Sequence, residues 1–262
     1  MTPASIEQAA QVLWKAWQGG TTLDALPENV RPASREEGFA VQLAIAKQSG
    51  DTRFGWKIAA TSSAGQAHIG VDGPLPGTLL GKRARTCPAT FSLAHNLMGV
   101  FEAEFAFRMG RDLPPRAAPY STEEVLAAVA TLHPAIEVPD SRYRDFVRVG
   151  APQLIADNAC ASWFALGPAT EAPWREMDLA RHPVTAFVNG KLVQTGSGAN
   201  VLGDPRVALT WIANELSRLG TGLSAGEVVT TGTCVAPVAV KAGDAVAAEF
   251  GPIGRAEVSF DA

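Results

Sequence analysis

Phe101-Glu102-Ala103-Glu104-Phe105-Ala106-Phe107 places an apolar residue at every second position, with two glutamates set between them. A strand sends successive side chains to opposite faces, so this spacing predicts a β-strand. Phe101, Ala103, Phe105 and Phe107 then point to a core, while Glu102 and Glu104 share the other face. Two carboxylates on one strand face repel each other unless solvent or a cation separates them. Hard oxygen donors of this kind suit Mg²⁺, Mn²⁺ or Ca²⁺ rather than zinc. By itself the pattern also describes a surface strand with a solvated acidic face. A second segment, His133-Pro134-Ala135-Ile136-Glu137-Val138-Pro139-Asp140, tips the reading toward a cation. It sets Glu137 in an apolar stretch that reads as a buried strand, and a buried glutamate needs a partner. A third carboxylate converging on the first two would share their ion.

Around these strands the chain reads as α+β. Residues 3 to 18 form a predicted helix with Ile6, Ala10, Leu13 and Trp17 on one face and Gly19-Gly20 as its stop. Ser34-Arg35-Glu36-Glu37 reads as a capping box for a second helix that runs toward Gly50. The expected organisation is a helical N-terminal region, residues 1–53, followed by a catalytic β-rich region, residues 54–262. Within the latter, Ser121 caps a helix with Val125, Ala128, Val129 and Leu132 as its apolar stripe. Asn189-Gly190 marks a hairpin between Thr185 and Gln194, and Asp204-Pro205 opens a helix that ends at Gly220. Strands and helices do not alternate strictly, which argues against a doubly wound sheet.

Of the 262 residues, 47% are hydrophobic and 18% charged, the balance of a folded globular chain. A net charge of −4 without a basic run gives nucleic acid little to bind. No apolar run approaches the ~18 residues of a membrane span, and the polar N-terminus does not read as a signal peptide. Cys87, Cys160 and Cys234 cannot all pair and show no C-x-x-C spacing. They read as free thiols in a reducing compartment, so a cytoplasmic location is expected. His68, His95, His133 and His182 lack mutual ligand spacing and read as structural. Gly196-Ser197-Gly198-Ala199-Asn200 lacks the spacing of a phosphate loop and reads as a turn.

A run of landmarks resembles the 2-keto-4-pentenoate hydratase and 4-oxalocrotonate decarboxylase family of the fumarylacetoacetate hydrolase superfamily. These are Gly55-Trp56-Lys57-Ile58, Gly70-Val71-Asp72, Glu102-Ala103-Glu104, Pro134-Ala135-Ile136-Glu137, Asp140-Ser141-Arg142, Ala156-Asp157-Asn158-Ala159, Gly203-Asp204-Pro205 and Thr231-Gly232-Thr233. The resemblance implies a mixed β-sandwich roll with a helical N-terminal region. It implies Glu102, Glu104 and Glu137 as ligands of Mg²⁺ or Mn²⁺, Lys57 as the catalytic residue, and Ser141, Arg142, Thr231 and Thr233 as substrate contacts. The implied substrate is a small 2-oxo or 2-hydroxydienoic acid of aromatic-compound catabolism, chelated by the ion and hydrated by a homo-oligomeric enzyme. Burial and the metal charge are expected to lower the Lys57 pKa.

Two positions depart from the family pattern. Asp72-Gly73-Pro74-Leu75-Pro76-Gly77 carries Leu75 where the family often has a second Asp, and Gly99-Val100-Phe101 replaces a Pro-Arg pair. Decarboxylation of a 2-oxo acid, or hydrolysis of a C–C bond in an acylpyruvate such as maleylpyruvate, therefore stays open on the same metal site. Related C–C hydrolases use a His-Glu dyad on the N-terminal lid. This chain has Glu36 and Glu37 there but no histidine before His68, which disfavours hydrolysis. A non-catalytic stabilising partner is a third, weaker reading, because Lys57 and all three glutamates are retained.

Overall fold

The computed structural model describes residues 1–261. Two helices lead the chain, α1 (Pro3–Gly19) and α2 (Arg35–Ser49). Thr2 caps α1 through the Ser5 amide, and Gly20 closes it in the left-handed conformation. At α2 the Ser34 hydroxyl accepts from the Glu37 amide, but the capping box is only half made. The Glu37 carboxylate instead accepts from the Ala33 amide and from the N-terminal ammonium. Leu13, Leu26, Val41 and Ile45 form a small core with Tyr143 and Ala156 from beyond the helices. Phe39 of α2 stacks on Trp56 with ring centroids 6.0 Å apart.

From residue 53 the chain builds two mixed sheets. Its elements are β1 (Arg53–Ala59), α3 (Ser63–Ile69), β2 (Leu75–Leu80), β3 (Ala84–Thr86), β4 (Ala89–Phe91) and β5 (Val100–Met109). Next come α4 (Thr122–Ala127), β6 (Val129–Val138), α5 (Ala151–Ala156), β7 (Trp163–Leu166), β8 (Pro183–Val188) and β9 (Lys191–Ser197). The chain ends with α6 (Pro205–Arg218), β10 (Val228–Thr233), β11 (Val238–Ala239), β12 (Ala245–Glu249) and β13 (Arg255–Phe260). The eight-stranded sheet runs β2-β1-β10-β5-β6-β7-β3, with β11 added to β5. The five-stranded sheet runs β4-β13-β12-β8-β9. Pairing is antiparallel except for β1–β10, β3–β7 and β4–β13.

The aromatic face of β5 lies between the sheets. Phe101, Phe105 and Phe107 are fully buried, and Phe105 meets Phe250 edge-on at 5.0 Å. That burial is what the period-two pattern predicts, and α6 and the Asn189-Gly190 hairpin also lie where the sequence places them. The helix capped by Ser121 is shorter than its apolar stripe implies. It stops at Ala127, and Val129 and Leu132 belong to β6. Pro134 cannot continue a helix, whereas pairing along β5 satisfies the backbone of the whole stretch.

β1 and β10 approach so closely at Gly55 that a Cβ there would sit 1.8 Å from the Val228 carbonyl oxygen. Gly55→Ala should therefore destabilise the fold by about 3 kcal/mol. This is measured as a lowered urea midpoint with an unchanged slope. An unchanged midpoint would contradict the close approach of these strands.

Candidate active site

Antiparallel pairing of β5 with β6 puts Glu102 directly opposite Glu137. Glu104 lies two residues along on the same face as Glu102. Carboxylate oxygens from all three lie within 4.8 Å of one another. Like charges directly opposite on paired strands destabilise the pair, and here Glu104 and Glu137 are fully buried as well. Glu104 Oε2 accepts from the Thr230 hydroxyl and, at 2.8 Å, from the Gly232 amide. Glu104 Oε1 and both Glu137 oxygens are buried without a hydrogen-bond donor among the described residues. Each such atom costs about 1–3 kcal/mol, more when charged. Three converging carboxylates with orphaned oxygens are the donor set of a hard divalent cation.

Lys57 enters this cluster from β1. Its Nζ lies 3.1 Å from Glu137 Oε1 as an ion pair, while its well-aligned hydrogen bond goes to the Ala159 carbonyl at 2.9 Å. The lysine stem crosses Gly77 of β2, where a Cβ would stand 2.8 Å from its Cγ and Cδ. The Ala159 carbonyl is presented by a turn in which Asn158, Ala159 and Cys160 are all left-handed, with φ of 58°, 49° and 62°. That conformation costs roughly 1–2 kcal/mol per residue, so other contacts must hold it. The Asn158 amide group both accepts from the Thr78 amide at 2.6 Å and donates to its carbonyl at 2.7 Å. Asp140 N donates to the Cys160 carbonyl at 2.9 Å.

Burial raises all three carboxyls of the cluster, and repulsion between them adds to it at Glu102 and Glu104. Burial, then Glu137, push the Glu102 carboxyl up to about 7 despite Lys57. Burial, then Glu137 and Glu102, raise Glu104 well above the carboxylate range, and burial raises Glu137 against the pull of Lys57. Burial works against the Lys57 ammonium, but Glu137, Glu102 and Glu104 outweigh it and the net direction is upward. The lowered pKa expected from the sequence rests on a bound metal's charge, whereas the upward direction is that of the amine beside the three carboxylates alone. With all three carboxyls deprotonated and Lys57 charged, the cluster would carry two negative charges, the number that one divalent cation neutralises.

The other expected site residues are placed differently. Ser141 donates to Asp157 at 2.7 Å, and the Arg142 guanidinium bonds the Asp157 side chain, its carbonyl and the Ala161 carbonyl. Both therefore hold the 157–161 turn instead of presenting free donors to a substrate. Thr231 is buried with its hydroxyl on the Phe105 carbonyl at 3.1 Å. Thr233 is half-buried at the open end of β10 and donates to the Val235 carbonyl at 2.7 Å. Sequence reading missed Thr230 and the Gly232 amide as partners of Glu104. It also missed Asn158 and the Ala159 carbonyl behind Lys57. Strand alternation could have separated Thr230 from Thr231, but nothing local in the sequence reveals three successive left-handed residues without glycine. Leu75 is buried opposite Ala59, on the face of β1–β2 that carries Lys57. Where the family often has an acid, this site has a hydrocarbon wall. His133 is held by the Gly167 carbonyl and Thr131, and His182 by the Phe250 carbonyl.

Comparison with known proteins agrees with this geometry. Residues 82–260 match the fumarylacetoacetate (FAA) hydrolase C-terminal family. The 2-keto-4-pentenoate hydratase of Paraburkholderia xenovorans (strain LB400) is 33% identical over 264 residues, covering 100% of this chain and 97% of that protein. A 4-oxalocrotonate decarboxylase from Pseudomonas sp is 32% identical, covering 97% of each. The structure of the 4-oxalocrotonate decarboxylase from Pseudomonas putida G7, complexed with magnesium and adipate, superposes with a TM-score of 0.89 at 26% identity, covering 99% of this chain and 98% of that one. Nearly the full length is shared with each of these three proteins. This chain therefore belongs to the fumarylacetoacetate hydrolase superfamily and, within it, to the family of 2-keto-4-pentenoate hydratases and 4-oxalocrotonate decarboxylases.

Proposed function

We propose that this protein is a divalent-metal-dependent hydratase of aromatic-compound catabolism. It would convert a 2-hydroxy-2,4-dienoate, by way of the 2-oxo-3-enoate, to a 4-hydroxy-2-oxo acid. The observation that carries this reading is the convergence of Glu102, Glu104 and Glu137, with Glu104 Oε1 and Glu137 Oε2 buried without a partner among the described residues. These three residues would hold Mg²⁺ or Mn²⁺. When bound, such an ion supplies Lewis-acid polarisation of the keto oxygen of a chelated 2-oxo acid.

In the first step the 2-hydroxyl loses a proton and C5 gains one. In the second, water gives its hydroxyl to C4 and a proton to C3. Among the described residues, the one ammonium that reaches the carboxylate cluster is that of Lys57. Its bond to the Ala159 carbonyl fixes where its protons point, and we assign it proton delivery and substrate orientation. The neighbouring Cys160 thiol, pushed up to about 12 chiefly by burial, stays protonated and is no base. Thr233, half-buried at the end of β10, is the remaining candidate contact for the substrate carboxylate. No described helix is long and apolar enough to cross a membrane, and all three cysteines are free. A cytoplasmic homo-oligomer without nucleic-acid or membrane partners fits these features.

Decarboxylation is the second reading. Leu75 removes an acid that would handle water, and this chain is as close to a decarboxylase as to a hydratase, at 32% and 33% identity. Incubating the protein and Mg²⁺ with 2-hydroxypenta-2,4-dienoate and with 4-oxalocrotonate, and following products by mass, separates the two. Hydration adds one water to the dienoate, whereas release of CO₂ from oxalocrotonate without water uptake by the dienoate would favour the decarboxylase.

Lys57→Met should lower turnover by about 100-fold or more. Metal affinity should persist or rise, since the variant cluster carries one more negative charge. Unchanged turnover would remove Lys57 from the mechanism. Glu137→Gln should weaken Mg²⁺ or Mn²⁺ binding by more than the roughly 10–100-fold typical of a residue that only supports a ligand. Retained affinity would exclude Glu137 as a ligand.

The raised carboxyl pKa values also set a pH dependence. In the metal-free protein these groups keep protons that the unfolded chain releases above its ordinary value of 4.5. The Glu102 contribution to stability is present below that pH and is lost as pH rises through about 7, and that of Glu104 is lost at higher pH than its ordinary value. Mg²⁺ binds the deprotonated groups, so the Tm gain it produces should be larger at about pH 8 than at about pH 5.5. A gain independent of pH would contradict carboxylate ligation.

A further inference from the structure

A cleft of about 170 Å³ opens where the C-terminal end of α1 meets the strand ends near Asp140 and Trp163. Lys57 and the three clustered glutamates do not line it. Its walls carry Arg83 and Arg142, the aromatic rings of Trp17 and Trp163, and one acid, Asp140. The Arg83 guanidinium carbon lies 4.4 Å from the Trp163 ring centroid and 5.6 Å from that of Trp17, and Arg142 sits 4.2 Å over Trp17. Stacking of this kind uses the flat face of a guanidinium and leaves its N–H edge for a planar anion.

The two arginines differ in what that edge meets. Arg142 is spent on Asp157 and the Ala161 carbonyl. Arg83, half-buried, makes no hydrogen bond and no ion pair among the described residues. Burial, then Arg142 and Arg85, oppose its charge, and Asp140 alone supports it. Asp140, whose Oδ1 accepts from the Leu97 amide at 2.8 Å, gives that support without forming an ion pair with Arg83. Nor do the last carbonyls of α1 compensate, because those of Ala16 and Trp17 are taken by the Gly20 and Thr21 amides. A half-buried cation without a partner is costly, and the hydroxyls of Ser92 and Ser162 line the same cleft.

We infer that this cleft is a second ligand site, separate from the carboxylate cluster, which binds a small organic carboxylate through the free edge of Arg83. One uncompensated guanidinium matches one carboxylate, whereas a phosphate dianion would call for a second free cation. The volume is near the ~150 Å³ of a cavity that takes one benzene, so an acid of about six carbons or fewer fits. The inference does not depend on which reaction the metal site performs.

Crotonate, a planar four-carbon monocarboxylate, is a suitable probe, and tryptophan fluorescence a suitable signal, because Trp17 and Trp163 form the walls. Titration of the full chain should give a saturable change that persists in Glu104→Gln, where the metal site is disabled. Arg83→Leu should bind at least about 10-fold more weakly, as expected for a lost charge-assisted hydrogen bond. Should that variant fail to fold, Arg83→Lys keeps the charge without the fork and should still bind several-fold more weakly than the parent. The inference is overturned by no saturable response, by equal affinity in the Arg83 variants, or by loss of the response in Glu104→Gln. Tighter binding of inorganic phosphate than of crotonate would also overturn it. So would an Arg83→Leu chain of reduced sedimentation mass beside a parent that ignores crotonate, since Arg83 would then pair with a second copy.

Discussion

Glu102 and Glu137 face each other across two hydrogen-bonded strands, with Glu104 beside them and almost no water to screen the three charges. Strand pairing normally selects against that arrangement. Everything else in the centre of the molecule is consistent with keeping it. The aromatic side of β5 is locked between the sheets, so the strand cannot rotate its acids outward without exposing Phe101, Phe105 and Phe107. Lys57 offsets one charge, and Thr230 with the Gly232 amide satisfies one oxygen of Glu104. The remaining deficit has the size and donor chemistry of a single hard dication.

The second device is the turn at residues 157–161. A strained backbone persists only where its surroundings over-determine it, and here Asn158, Asp157, Ser141 and Arg142 do so from three directions. Its product is one carbonyl, that of Ala159, aimed at the Lys57 ammonium. Residues that resemble substrate contacts in the sequence thus hold the element that orients the Lys57 amine.

How much of this was legible follows from the range of the interactions involved. The acid pair on β5, the buried Glu137, the α1 and α6 boundaries and the Asn189-Gly190 hairpin are written in local periodicity and turn chemistry, and the sequence shows them. The register that sets Glu102 against Glu137 is not local, and neither is the capture of Lys57 by a carbonyl 102 residues away. The α4 boundary failed for the related reason that ladder pairing with β5 overrode a good helix cap. That Lys57 lies beside the acids is likewise not a local property, and the direction of its pKa depends on how many carboxylates surround it.

The central claim is that the three glutamates share one ion. Crystals grown with Mn²⁺ and measured near its absorption edge test this directly. The account predicts a single strong anomalous peak within coordinating distance of Glu102, Glu104 and Glu137. A peak elsewhere, or none at saturating Mn²⁺, would contradict it.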